Sequence, residues 1–231
     1  MKIKITNIGS IATWSPIQDQ LNIIKDVEIM VEDNTVVEIG SKVVGADQEI
    51  NAEGALLTPG FVDSHTHPIF SGNRAEEFSM RVQGKSYEEI AKSGGGILSS
   101  IKSVRNTNED ILFNESLDRV NFFLRHGTTT IEAKSGYGLT TEDEIKSLRV
   151  IKRLNEVSKL DLIPTFMGAH AFPPEYVDDH DKYIDLICND MLPKISKENL
   201  AEYCDVFCEN GYFSIEHTRK ILESAKVHGM K

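Results

Sequence analysis

From about residue 56 onward, short β-prone runs alternate with longer stretches of helical period, and this alternation restricts the chain to very few folds. Leu56–His67 is apolar and β-prone, Thr128–Ala133 is β-branched, Leu160–Phe166 forms a third run and Asp205–Cys208 a fourth. Between the first two, Thr107-Asn108-Glu109-Asp110 has the character of a helix start. Apolar residues then recur through Ile111, Leu112, Val120 and Leu124, and Gly127 suits the left-handed position beyond a helix end. Thr141-x-x-Glu144 reads as a capping box, followed at helical spacing by Ile145, Leu148, Ile151 and Leu154. Ser214 to His228 reads as the next helix, closed by Gly229. Strand–helix alternation implies parallel strands joined by crossover helices, as in a doubly wound sheet or a (β/α)8 barrel. Both folds place functional residues at the carboxyl ends of their strands. About four βα units are expected here, against the eight of a closed barrel. The chain stops at His228-Gly229-Met230-Lys231, where a helix would hand over to a fifth strand.

Residues 1–55 differ in character and read as a small β-rich segment. Lys2–Thr6 alternates, and Val27–Val31 and Val36–Ile39 flank the polar turn Glu32-Asp33-Asn34-Thr35, a hairpin pattern. Such a segment is too small to be stable alone. A net charge of -11 and a pI of about 5.1 argue against nucleic-acid binding, which calls for a basic surface. No apolar run approaches the ~20 residues needed to span a bilayer, and Met1–Ile5 lacks a secretory apolar region. A cytoplasmic location is therefore the default expectation. Cys188, Cys204 and Cys208 are expected to be reduced and mostly buried. Residues four apart on a strand, as Cys204 and Cys208 would be, lie roughly 13 Å apart, too far for a disulfide.

The chemistry concentrates at the ends of the β-prone runs. His65-x-His67 closes the first, and i, i+2 spacing on a strand puts both imidazoles on one face, with Asp63. Two neutral imidazoles so placed make half of a first-row metal site. Arg74 follows in Phe70–Phe78, and local sequence leaves it open between a surface arginine and a fork for a substrate carboxylate. Tyr137 lies in Lys134-Ser135-Gly136-Tyr137-Gly138 after the second run, where the glycines permit close backbone approach; an ordinary loop tyrosine fits equally. His170, in Gly168-Ala169-His170-Ala171 after the third run, is a candidate catalytic residue. Ser93-Gly94-Gly95-Gly96 reads as a flexible loop, a candidate lid, and lacks the lysine of a phosphate loop. Glu132 and Glu209 are expected to face the interior without an assigned role, and His126, His180, His217 and His228 are read as non-catalytic.

Taken together, Pro59-Gly60-Phe61-Val62-Asp63-Ser64-His65-Thr66-His67 resembles the first-strand signature of the metal-dependent amidohydrolase superfamily. The blocks Phe70–Phe78, His126–Leu139 and Pro164–Tyr176 resemble one branch of it, which opens an imidazolone ring in histidine degradation. The resemblance covers essentially the whole chain. It implies an α/β fold: an amidohydrolase-type (β/α)8 barrel, incomplete over residues 56–231, with residues 1–55 belonging to a small β-sandwich. It implies that His65 and His67 hold one zinc or iron ion and that Arg74 grips a propionate carboxylate. Tyr137 and His170 would contact substrate, and metal-activated water would open the cyclic amide. Members of the family are longer, and their remaining metal ligands and water-activating residues fall beyond Lys231. The 231-residue polypeptide alone is therefore expected to be inactive and poorly folded, with a homodimer expected of a full-length relative. Another cyclic-amide hydrolase or deaminase of the superfamily, or a non-catalytic fragment, are the competing readings. Arg74, Tyr137 and His170 discriminate among them.

Overall fold

A computed structural model describes residues 1–86, 89 and 95–231 of the chain; Ser93 and Gly94 of the expected lid loop lie outside the described residues. The chain divides into two compact units, Met1–Gly60 and Phe61–Lys231.

Among its residues, the first unit forms two sheets. One has the order β5 (Thr35–Gly40), β4 (Glu28–Glu32), β1 (Lys2–Thr6), β6 (Gln48–Asn51). The other has the order β3 (Gln20–Ile24), β2 (Ser10–Ser15), β7 (Leu56–Leu57). The hairpin around Glu32–Thr35 forms as the alternation predicts, with β4 and β5 antiparallel and Asp33 and Asn34 both at positive φ, the conformation that tight hairpin turns require. Ile8, Ile11 and Ile29 make its small core.

The second unit carries the parallel sheet. Its strands are β8 (Phe61–Thr66), β9 (Thr128–Lys134), β10 (Asp161–Ala169) and β11 (Tyr203–Val206). They pair parallel in the order β8-β9-β10-β11, so that spatial order follows chain order with no reversal. A doubly wound sheet reverses direction at its switch point. The four described strands keep a single direction of progression instead. Beyond β11 the backbone of Lys231 continues the same ladder, donating to the Glu202 carbonyl and accepting from the Cys204 N–H.

The expected first strand, Leu56–His67, is in fact two. Pro59 has no N–H to give a ladder. Leu56–Leu57 pairs with β2, while Phe61–Thr66 pairs with β9. Helices α1 (Ala75–Val82) and α2 (Ile97–Asn106) precede the helix anticipated from its periodicity, α3 (Glu109–Arg125). Asn108 caps α3 by accepting from the Ile111 N–H, and Gly127 takes φ +84 beyond its end.

α4 (Thr141–Val157) buries Ile145, Leu148, Ile151 and Leu154 as their spacing predicts, but its cap is displaced by one residue. Thr140, not Thr141, is the N-cap, accepting from the Asp143 N–H, which frees Glu144 for other contacts. A helical run follows β10 as α5 (His180–Leu186), a π-helical turn at Ile187–Met191, and α6 (Leu192–Glu198). Pro193 lacks the N–H needed for a regular ladder at that junction. α7 (Ile215–Val227) starts on a capping box in which Ser214 and His217 satisfy each other's N–H groups. These helices bury their apolar faces against the sheet in one core that includes Ile131, Leu148, Phe166, Tyr183 and Ile221. Among the described residues, no helix is long and apolar enough to cross a membrane.

The cysteines depart in part from expectation. β11 ends at Val206, so Cys208 lies in the loop beyond it and is exposed, while Cys188 and Cys204 are buried and all three are free. Burial pushes the Cys204 thiol up to about 12. Glu209 does not face the interior either. It is exposed, and its carboxylate accepts from the neighbouring Asn210 N–H.

Candidate active site

The carboxyl ends of β8, β9 and β10 bring His65, His67, Tyr137 and His170 together. Thr66, between the two histidines, points the other way and donates to the Glu132 carbonyl on β9. His65 and His67 therefore share a face, with ring centroids 5.8 Å apart. His67 stacks on His170 at 4.5 Å with the planes 10° apart. Tyr137 packs against both, at 5.2 Å from His67 and 5.3 Å from His170. The ladder between β10 and β11 shifts register between Phe166 and Ala169, just before His170. Such irregularities re-aim the side chains that follow. Gly168 permits this one, since a Cβ there would lie 2.5 Å from the Phe166 ring.

Each of the two stacked imidazoles is held by a backbone carbonyl. His67 Nδ1 lies 3.0 Å from the Ser135 oxygen, and His170 Nδ1 lies 2.9 Å from the Gly136 oxygen. A carbonyl only accepts, so both Nδ1 atoms carry the proton and both Nε2 atoms present lone pairs. Burial, and then the neighbouring His170 imidazole, push His67 down to about 3. Burial also lowers His170. Neutral imidazoles with a free Nε2 are the donors that zinc and iron take, so His67 suits a metal ion and His65 stands beside it. Among the described residues, no group of three His, Cys, Asp or Glu side chains is placed to hold a metal ion.

Arg74 stands at the start of α1 and reaches Glu77 with Nε at 2.8 Å and Nη2 at 2.5 Å. Glu77 also accepts from the Gly96 N–H, which ties Arg74 to the start of α2. Arg74 and Tyr137 border a cleft of about 280 Å³ whose walls include His67, Asn73, Ser99 and Ser103. They also border an adjoining hollow of about 250 Å³ against His170 and Phe207. Arg74 and Tyr137 thus border both hollows, one lined by His67 and the other by His170.

Lys134 and Asp205, near this region, are given no role by the sequence reading, and Glu144 is given a different one. Lys134 is buried at the end of β9 and donates to Glu132 and Asp205, at 2.8 Å each. Burial, the largest single influence, works against its charge. The hydrogen bonds and charges of Asp205 and Glu132 together outweigh it and raise the ammonium. Glu132-x-Lys134 has the same i, i+2 spacing as the histidine pair, and that was the available signal. Asp205 carried none. Glu144 was read as a capping residue, and its true partners are the backbone of residues 136–139.

Two solved structures share this fold over almost the whole of this chain. A guanine deaminase from C. acetobutylicum superposes with a TM-score of 0.57 at 14% identity, over 100% of this chain and 52% of its own. Atrazine chlorohydrolase TrzN from Arthrobacter aurescens TC1, solved with zinc, superposes with a TM-score of 0.57 at 13% identity, over 98% and 51%. In sequence, the chain matches the N-terminal portion of the imidazolonepropionases. The protein of that name from Thermoanaerobacter pseudethanolicus is 43% identical over 228 residues, 98% of this chain and 55% of the relative. That from Shouchella clausii is 51% identical over 187 residues, 81% of this chain and 42% of the relative. The chain thus spans about half the length of the curated relatives it matches. No family-wide sequence profile matches it.

Proposed function

We propose that this chain carries the substrate-binding part and two metal ligands of an imidazolonepropionase active site. The reaction is the hydrolysis of 4-imidazolone-5-propanoate to N-formimidoyl-L-glutamate. One water is consumed, the ring carbonyl carbon becomes a carboxylate, and its bond to the ring nitrogen breaks. The observation that carries this reading is the clustering of His65, His67, Tyr137 and His170 at one set of strand ends, where Arg74 and Tyr137 border a cleft lined by His67 and a hollow lined by His170. Likeness to proteins of that name supports the choice of substrate.

His65 and His67 would hold one zinc or iron ion. When bound, that ion supplies Lewis acidity to the ring carbonyl and acidifies water. Arg74 offers a planar fork to the propionate carboxylate, a charged handle distant from the bond that breaks, which fixes the orientation of the ring. To do so its guanidinium shares Glu77 with the substrate or exchanges one for the other. Tyr137 covers the ring, and His170, with its Nε2 lone pair, is placed to accept or return a proton.

The test is turnover of 4-imidazolone-5-propanoate by the protein that carries this sequence, followed at the absorbance of the imidazolone ring, with guanine and other neutral cyclic amides as controls. Ring opening confined to the carboxylate-bearing substrate supports the reading. Turnover of the neutral rings, with none of the propionate, would assign a different activity within the same fold.

A further inference from the structure

The loop leaving β9 is shaped by one carboxylate. Glu144, in the first turn of α4, is without solvent exposure. Its oxygens accept from the N–H groups of Gly136 at 3.0 and 3.2 Å, Gly138 at 2.8 Å and Leu139 at 2.9 Å, and from the Ser135 hydroxyl. The Ser135 oxygen in turn accepts from the Met167 N–H on β10. A buried carboxylate is costly unless its lone pairs are filled, and here backbone donors surround it. The same loop presents the Ser135 carbonyl to His67 and the Gly136 carbonyl to His170, and packs Tyr137 against both rings.

We propose that Glu144 is a positioning residue, which acts through this loop to set the tautomer and the ring orientation of His67 and His170. The inference rests on the reading that these imidazoles belong to the reacting site. Arg105 on α2 grips the loop from its carbonyl side, donating from Nε to Gly138 at 2.8 Å and from Nη2 to Leu139 at 3.4 Å, while Glu144 takes up its N–H groups. Leu139, which is not glycine, sits at φ +54, a conformation that persists only where surrounding contacts impose it. There is also no slack. A Cβ on Gly136 would lie 2.9 Å from the Met167 carbonyl and 3.0 Å from His170 Nδ1, and one on Gly138 would lie 2.6–2.7 Å from Asp143 and Glu144. Movement of the 136–139 backbone therefore transfers directly to the carbonyls that hold the imidazoles.

Glu144→Gln keeps the shape of the side chain but turns one acceptor into a donor facing backbone N–H groups. The expected readout in the full chain is by 15N NMR. Wild-type His170 shows a single Nδ1–H tautomer, and the variant shows a mixture. Amide exchange at Gly138 and Leu139 becomes roughly ten- to a hundredfold faster, as loss of charge-assisted hydrogen bonds implies, while that at Leu148 and Ile151 in α4 stays unchanged. With 4-imidazolone-5-propanoate, kcat falls more than KM rises. An unaltered His170 tautomer with protected loop amides in the variant overturns the proposal. If the variant fails to fold, wild-type exchange decides: Gly138 and Leu139 amides exchanging at the slow rate of the α4 amides support it, and rapid exchange overturns it. A tautomer shift in a protein that turns over no imidazolone supports the positioning role and removes only the reaction reading.

Discussion

His67 and His170 lie ring on ring, 4.5 Å apart, and their Nδ1 atoms are bound by the carbonyls of two consecutive residues, Ser135 and Gly136. Stacking at that distance requires at least one ring to be neutral, because two imidazolium cations in a buried site repel. The loop between β9 and α4 thus governs side chains from two other strand ends.

Removal of either histidine proposed to hold the metal is the most direct test. Loss of groups that merely orient a ligand costs roughly 10–100-fold in metal affinity. Replacing His65 or His67 by Ala is expected to cost at least that much. Equilibrium dialysis against zinc, with elemental analysis, checks it. Unchanged metal content in both variants would remove the two histidines from the site.

Arg74→Ala should act on the carboxylate of the substrate and not on its ring. Loss of a hydrogen bond to a charged group, at about 1.5–3 kcal/mol, corresponds to a KM roughly 10–100-fold higher with kcat little changed. An analogue whose propionate is converted to the amide should bind wild-type and variant protein alike. Equal weakening for both ligands would mean that Arg74 supports the fold of the cleft.

Glu77 should titrate low because of Arg74. The hydrogen bond from the Arg74 guanidinium holds its carboxyl below the ordinary glutamate range, and the Gly96 N–H assists. A depressed folded-state pKa contributes stability above the unfolded value of about 4.3 and loses it as pH falls through the folded one. In Arg74→Ala the Glu77 carboxyl should titrate higher, which NMR of the side-chain carbonyl reports. An unshifted titration would show that the pair does not persist in solution.

Lys134→Met should destabilise the sheet. The substitution leaves Glu132 and Asp205 without their shared cation, and breaking a buried ion pair costs about 3–5 kcal/mol. Asp205 is 39% exposed, so solvent relieves part of this and the lower end of that range is expected. Urea unfolding measures it. A variant as stable as the wild type would show that the network contributes nothing to the fold.

Leu148→Ala probes the interface of α4 with the sheet. Leu148 is fully buried in the core of the second unit, where such truncations cost about 2–5 kcal/mol. A loss below 1 kcal/mol would indicate a loosely packed core.

Apolar period alone located α3, α4, α7 and the four parallel strands, because burial of one face dictates where apolar residues recur. It misplaced details that depend on which polar group reaches which backbone atom. Thr140 and Thr141 are equivalent as cap candidates by type. Only the packed helix shows that Glu144 turns inward to the 136–139 loop. Leu56–His67 reads as one strand in the sequence, and only the structure shows that a break around Pro59 leaves its two halves paired in different sheets.

The sequence by itself determined the i, i+2 pairing of His65 with His67, since strand geometry places alternate residues on one face whatever surrounds them. It also determined the run of strands and helices, because period follows from which face is buried. Tertiary structure alone decided that His67 stacks on His170, that a single loop sets both their tautomers, and that Lys134 bridges Glu132 and Asp205. His67 and His170 stand 103 positions apart and Lys134 and Asp205 stand 71 apart, and no local pattern encodes a distance closed by parallel strand pairing.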